Sequence, residues 1–273
     1  MKKSRLDLLL VEKKLAESRS KAQRLIMAAQ IRVNGQIILK PSTKVSVTSD
    51  LSITKEPRFV SRGGEKLEKA LNDFGLDSLS GLVCADVGSS TGGFTDCLLQ
   101  YGAARVYAID VGYGLLHWKL RNNPKVVSME RTNARYLVKI EESIHFVTID
   151  ASFIPLNLLL PTVKGWFEDS GGSVIALIKP QFEAGRSDVA KGKGVIRDSE
   201  IHKKVVLSVL EFVIDEGYSV NGLLRSPLLG PKGNTEFLTY LKYPGVKGSD
   251  FRRLIDAVFK PAENGNANQD IMN

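Results

Sequence analysis

The sequence predicts an α/β protein, an open and mostly parallel sheet with flanking helices, preceded by a small α+β unit. Three observations carry this reading. Apolar strand-like runs recur at residues 83–87, 105–109, 126–129, 146–149, 174–178 and 222–225, most of them followed by helical or glycine-rich stretches. Such alternation builds a parallel sheet with ligands at the carboxyl ends of its strands. The first 55 residues lack these runs and show short helical and hairpin patterns instead. Charge divides at nearly the same place: of a net +8 over 273 residues, residues 1–60 hold 13 basic side chains (8 Lys, 5 Arg) against 5 acidic ones, leaving the other residues balanced. A first fifth with one dominant sign is the footprint of a polyanion-binding module, whereas a merely solubilising face needs no single sign.

Leu6, Leu9 and Leu10 fall at helical spacing, predicting a first helix over Arg5–Glu12. Ser18 or Ser20 can cap a second helix, Lys21–Ala29, whose Ala22, Leu25, Ile26 and Ala29 form an apolar stripe. Ile31–Val33 and Gln36–Leu39 alternate around Asn34-Gly35, a two-residue hairpin turn. A second strand pair is expected between Val45–Val47 and Leu51–Ile53. Arg19, Lys21 and Arg24 gather on or beside the second helix, and Arg32 and Lys40 flank the hairpin. Arg5 and Arg62, at the two ends of this region, complete the candidate polyanion-binding set.

Composition excludes other classes. Cys84 and Cys97 are too few for a disulfide framework or a four-ligand zinc site, and their surroundings predict buried thiols in a reducing cytoplasm. His117, His145 and His202 show no metal spacing. The apolar run near the start is broken by Asp7 and ended by Glu12, too short for a signal peptide. No run approaches the ~20 residues of a membrane span.

The run LVCADVG leads straight into GSSTGGFTDCLLQYG. Gly88, Gly92 and Gly93 make a tight turn, and Phe94–Gln100 opens a helix. A dinucleotide fingerprint would need glycine where Ser90 stands, and the lysine of a phosphate-binding loop is missing. Asp86 at the strand end and a turn without that lysine suit a cofactor with an amino-acid portion and a ribose. The next run ends at Asp110, placed to accept ribose hydroxyls. Asn133 fits either the adenine side of such a cofactor or a plain turn. Trp118 reads as cleft wall or core.

Asp150 and Lys179 each end an apolar run, where a charge is costly unless the site uses it. Pro180 stops the strand after Lys179 and aims the ammonium at the cleft. Lys66, in EKLEK, reads locally as exposed helix, and Glu236 stands in GNTEFL. The glycine-rich stretch Glu183–Arg197, with Arg186, Lys191, Lys193 and Arg197, reads equally as a loop closing over a polyanion or as a plain connection.

The stretches RLDLLL, SRSKAQRLIMAAQIRVNG and KPSTKV resemble the S4-like RNA-binding domain, which implies that the helix pair and hairpin grip RNA phosphates. The glycine turn with its strand-end acids resembles the S-adenosylmethionine site of Rossmann-like methyltransferases. DVGSSTGGFTD, AIDVGYGLLHWKLR, ERTNARYL, TIDASFI, LIKPQFE and GNTEFL resemble, over essentially the whole chain, the haemolysin group of the FtsJ-like RNA ribose methyltransferases.

That resemblance implies an S4-like domain over 1–56, a linker over 57–64, a methyltransferase domain with a seven-stranded sheet over 65–262 and a disordered tail over 263–273. It implies a cofactor, S-adenosylmethionine, held by Asp86, Gly88, Ser89, Ser90, Thr91, Gly92, Gly93, Phe94, Asp110, Asn133 and Asp150. It maps a Lys-Asp-Lys-Glu tetrad onto Lys66, Asp150, Lys179 and Glu236. The implied activity is methylation of a ribose 2′-hydroxyl on ribosomal RNA cytidines by a cytoplasmic monomer whose partners are ribosomal RNA or ribosomal subunits, with no membrane and no metal. A lysine used as base must first lose its proton, which a nearby lysine and partial burial favour and a carboxylate opposes. Two other readings stand beside this one, a membrane-active haemolysin and a non-catalytic RNA-binding assembly factor. Deleting residues 1–60 is expected to leave cofactor binding nearly intact by calorimetry, while RNA affinity and its salt dependence collapse.

Overall fold

The computed structural model describes residues 3–27, 30–53, 57–185, 194–230, 232–246 and 250–260. The chain divides into two compact units, Met1–Arg58 and Phe59–Asn273.

The first unit contains β1 (Lys3–Arg5), α1 (Leu6–Glu12), α2 (Arg19–Met27), β2 (Ile31–Val33), β3 (Gln36–Ile37), β4 (Lys44–Ser46) and β5 (Leu51–Ile53). Leu6, Leu9, Leu10, Ala22, Ile26 and Ile31 make its core. Of the two serines able to cap α2, Ser18 does so: its hydroxyl accepts the Lys21 N–H at 3.2 Å. Asn34 and Gly35 both take left-handed φ, +50° and +81°, as a two-residue hairpin turn requires. Arg5 stands in β1 rather than in the first helix. The expected pairing of the last two strands is also corrected. β4 pairs antiparallel with β1, and β5 with β2, because the Ser46–Ser49 turn carries the chain from one small sheet to the other.

Asp7 is the polar centre of this unit and is fully buried. It accepts from Arg5 Nε and Nη2 at 3.0 and 2.9 Å, from Arg19 Nε at 3.0 Å and from Gln23 Nε2 at 3.0 Å. Two of the arginines assigned to polyanion binding are therefore held side by side by one carboxylate. Lys21, Arg24 and Lys40 are exposed, and Arg32 donates to the Gly35 carbonyl at the hairpin turn.

Among the described residues of the second unit, seven strands form one sheet: β6 (Val83–Val87), β7 (Arg105–Ile109), β8 (Val126–Met129), β9 (Phe146–Ile149), β10 (Gly172–Ile178), β11 (Ser219–Arg225) and β12 (Phe237–Tyr243), in the order β11-β12-β10-β9-β6-β7-β8. β12 alone is reversed, antiparallel to β10 and β11. The helices are α3 (Gly63–Asp73), α4 (Gly93–Gln100), α5 (Trp118–Arg121), α6 (Leu160–Val163), α7 (Pro180–Glu183), α8 (Ser199–Asp215) and α9 (Phe251–Phe259). Alternate residues of the strands feed two cores. Val147, Ile149, Val174 and Ile178 pack under α6 and α8, whereas Phe146, Ile175 and Leu177 pack under α3 and α4. Burial on both faces is why the parallel strands read as unbroken apolar runs. β6 lies between β9 and β7, so the connections after β6 and β9 leave a crevice at the strand ends, where open α/β sheets bind ligands.

Of the stretch 57–64, expected as linker, residues 59–64 are part of this unit instead. Phe59 is buried in the core beneath α3, the Val60 N–H donates to Asp96, and Gly63 and Gly64 already belong to the helix. A Cβ on Gly64 would lie 2.2 Å from the Phe59 ring. Both cysteines are buried, and burial pushes the Cys84 thiol up to about 12. The expected tail, 263–273, and the basic residues Arg186, Lys191 and Lys193 lie outside the described residues.

The Arg5, Gln23 and Arg19 hydrogen bonds hold the Asp7 carboxyl well below the usual carboxylate range, although burial opposes them. The stability it contributes is complete above its unfolded value of about pH 4 and is lost as pH falls through its depressed native value. Asp7→Asn is expected to lower the local stability of α1 at pH 7 by about 1–3 kcal/mol and to flatten its acid dependence. Hydrogen exchange of the Leu9 and Leu10 amides between pH 3 and pH 7 measures both effects.

Candidate active site

The turn after β6 shapes the crevice. Gly88 takes φ +82°, and a Cβ there would lie 2.8 Å from the Asp150 carbonyl oxygen, so only glycine lets the turn pass the end of β9. Gly92, at φ +95°, caps α4, and a Cβ there would strike Leu120. Ser90 also has a left-handed φ of +48°, and its N–H donates to Asp110 Oδ2 at 2.8 Å. Asp110 Oδ1 takes the Gly112 N–H at 2.7 Å. The carboxylate ending β7 thus fixes the glycine turn from the side.

At the ends of β6, β9 and β10 lies a cavity of about 570 Å³. Gly88, Ser89, Ser90, Thr91, Gly93 and Phe94 line one wall. Lys66 from α3, Asp150 after β9, Lys179 after β10 and Glu236 before β12 converge on it. Lys179 Nζ stands 2.6 Å from Asp150 Oδ1, 3.3 Å from the Asp150 carbonyl and 3.1 Å from Ser152 Oγ. Lys66 Nζ stands 2.6 Å from Glu236 Oε2. The second pair is almost sealed, with side-chain exposures of 11% and 1%, whereas Asp150 keeps 22%. Charges this deep persist only when paired, and removing one partner typically costs about 3–5 kcal/mol. Among the described residues the other Glu236 oxygen, Oε1, is buried without a hydrogen-bond partner. Arg62 and Lys232 stand exposed at the rim, so the two ion pairs sit beneath a positive mouth.

Four expected positions are placed differently. Asp86 lies beneath the turn, fully buried, accepting the Thr95 hydroxyl at 2.6 Å and the Thr148 hydroxyl at 3.0 Å. Burial raises its carboxyl to about 7 against those two hydrogen bonds, and it binds β6 to α4 and β9 rather than facing the cavity. Asn133 accepts the Arg135 N–H and caps a short 3₁₀ helix, the turn role of its two alternatives. Trp118 is 64% exposed, neither core nor cavity wall. Lys66 is buried rather than on an exposed face, because the helix carrying EKLEK turns that side to Glu236, 170 residues away. Residues not anticipated also line the cavity, among them Ser61, Ser152, Phe153, Gln181, Phe182 and Asn234. Phe153 is the one with a local signature: a φ of +65° on a large side chain that is 88% exposed.

Residues 59–243 match the family model of the FtsJ-like methyltransferases, and residues 4–51 match the S4 domain. The chain belongs to the FtsJ-like methyltransferases. It is 41% identical over 268 residues to the 16S/23S rRNA (cytidine-2′-O)-methyltransferase TlyA of Mycobacterium tuberculosis, covering 97% of this chain and 99% of that one. It is 41% identical over 241 residues to Hemolysin A of Brachyspira hyodysenteriae, covering 86% and 98%. The solved structure of a hemolysin-named protein from Streptococcus thermophilus superposes with a TM-score of 0.72 at 45% identity, covering 95% of each chain. Among the described residues of this FtsJ-like methyltransferase, no helix is long and apolar enough to cross a membrane.

In Gly88→Ala, the strained φ and the clash with the Asp150 carbonyl act together. The variant is expected to lose about 1–2 kcal/mol of stability. Calorimetry with S-adenosylmethionine should show weaker binding, because the turn that Gly88 begins is itself a wall of the cavity.

Proposed function

We propose that this FtsJ-like methyltransferase transfers a methyl group from S-adenosylmethionine to the 2′-hydroxyl of a ribosomal RNA cytidine. The observation that carries the reading is the convergence of two lysine–carboxylate pairs on one cavity beside the glycine turn. The residues present fit the cofactor. The turn from Gly88 to Thr91 lines the cavity wall, and each Asp110 oxygen, already taking one N–H, keeps a lone pair for a ribose hydroxyl. Bound there, S-adenosylmethionine supplies an electrophilic methyl group on a sulfonium.

The protein's part is to bring a weak nucleophile into line and remove its proton. Lys179 Nζ in its neutral form accepts the 2′-hydroxyl proton as the oxygen attacks. Asp150 Oδ1 and the Ser152 hydroxyl fix the direction of that nitrogen and stabilise the charge it gains. Lys66, held by Glu236, positions the ribose, and Glu236 Oε1 remains available to a hydroxyl donor. Positioning contributes much of the rate, since in-line attack tolerates little error. We place RNA engagement on the S4 domain, through Arg5, Arg19, Lys21, Arg24, Arg32 and Lys40, with Arg62 at the cavity rim. The relative TlyA, named for rRNA cytidine 2′-O-methylation, supports this substrate. A cytoplasmic monomer acting on ribosomal subunits completes the proposal.

Lys179→Arg tests the base directly, because a guanidinium keeps the charge and cannot deprotonate. Single-turnover methyl transfer is expected to fall by about 10²–10⁴-fold in both Lys179→Arg and Lys179→Ala, with calorimetric cofactor affinity within a few-fold. Retained turnover in the arginine variant would refute the assignment.

A further inference from the structure

Asp150 and Lys179 end neighbouring strands, and each is followed by a segment that must stay in place for the pair to hold. After Asp150 the chain runs through 151–155 into a short 3₁₀ helix, Leu156–Leu158. Its capping position is Pro155, whose side chain makes no capping hydrogen bond, so the first N–H of the helix needs an acceptor from elsewhere. After Lys179 the chain turns at once into α7, whose Phe182 and Glu183 N–H groups both return to the Lys179 carbonyl, at 2.8 and 3.2 Å. Glu183 is therefore fixed one helical turn from the lysine.

The two segments meet through this residue. Glu183 Oε1 accepts the Leu156 N–H at 2.9 Å. The Phe153 and Phe182 rings, one from each segment, lie against each other with centroids 4.9 Å apart. Burial raises the Glu183 carboxyl to about 7, with the Leu156 N–H drawing it back. A carboxylate kept at that cost, bonded across two loops, has a structural task.

We propose that Glu183 is a positioning residue for methyl transfer: by accepting the Leu156 N–H it ties the segment after Asp150 to the helix after Lys179 and keeps the Asp150–Lys179 pair assembled. This inference rests on the catalytic reading of Lys179 given above. Glu183 does not line the catalytic cavity, so its effect passes through geometry.

The test uses the full-length protein with three substitutions. Glu183→Gln keeps an acceptor, Glu183→Leu fills the volume without one, and Glu183→Ala removes both. Leu and Ala are expected to lower kcat for methyl transfer to ribosomal subunits about tenfold or more, with KM and S-adenosylmethionine affinity within twofold. Gln is expected to stay within about threefold of the parent in kcat. In parallel, hydrogen exchange of the 151–156 backbone should accelerate at least tenfold in Leu and Ala and remain at the parent rate in Gln. Exchange is read without any activity, so a parent protein that fails to methylate RNA sinks the catalytic reading alone. The tie is overturned by unchanged exchange in Leu, by a Gln variant as impaired as Leu, or by full kcat in a folded Leu variant.

Discussion

Adjacent parallel strands end side by side, and here β9 and β10 end on an aspartate and a lysine whose side chains meet at 2.6 Å. The rest of the cleft depends on this contact. It requires that β9 and β10 pair in the observed register, since a slip of one residue in either strand would turn its side chain to the other face. It requires Gly88, because the Asp150 carbonyl passes too close for a Cβ. It also requires both following segments to stay docked, one carrying Ser152 and the other beginning at Pro180. A small set of backbone constraints thus sets the position of one nitrogen.

The second ion pair depends on the topology in a different way. Lys66 comes from the helix that precedes the sheet and Glu236 from the residue entering its reversed strand. Because β12 runs antiparallel between β10 and β11, its beginning lies at the same end of the sheet as the ends of β9 and β10. Reversal of a single strand therefore brings a carboxylate to a site otherwise built from strand termini. Two opposite pairs within one cavity balance each other's charge, and the exposed Arg62 and Lys232 leave the mouth positive toward a polyanion.

Much of this was legible in the sequence because the physics acted locally. The strands at 83–87, 105–109 and 146–149 were read to the residue, since burial on both faces writes itself as an apolar run, and the half-buried edge strand 126–129 was read from its own apolar residues. The Asn34-Gly35 turn, the Ser18 cap and the glycine turn after β6 were legible for the same reason: each demands particular residue types within a few positions. What was misread depends on distant partners. Lys66 looks exposed in EKLEK until Glu236 arrives from 170 residues away. Asp86 looks like a ligand until Thr95 and Thr148 close over it. Phe59 looks like linker until the glycines of α3 make room for its ring. β12, with Thr239 and Tyr240 in its middle, was not among the apolar runs, and β4 and β5 were expected to pair with each other because they are neighbours in sequence.

The cleft built around the Asp150–Lys179 pair is proposed to deliver a methyl group to a ribose hydroxyl. Where the methyl group lands decides this. Ribosomal subunits incubated with the protein and methyl-labelled S-adenosylmethionine can be digested to nucleosides and separated by mass spectrometry. The expected result is label on the ribose of cytidine, as 2′-O-methylcytidine. Label on a base, or no transfer by a protein that binds both cofactor and RNA, would contradict it.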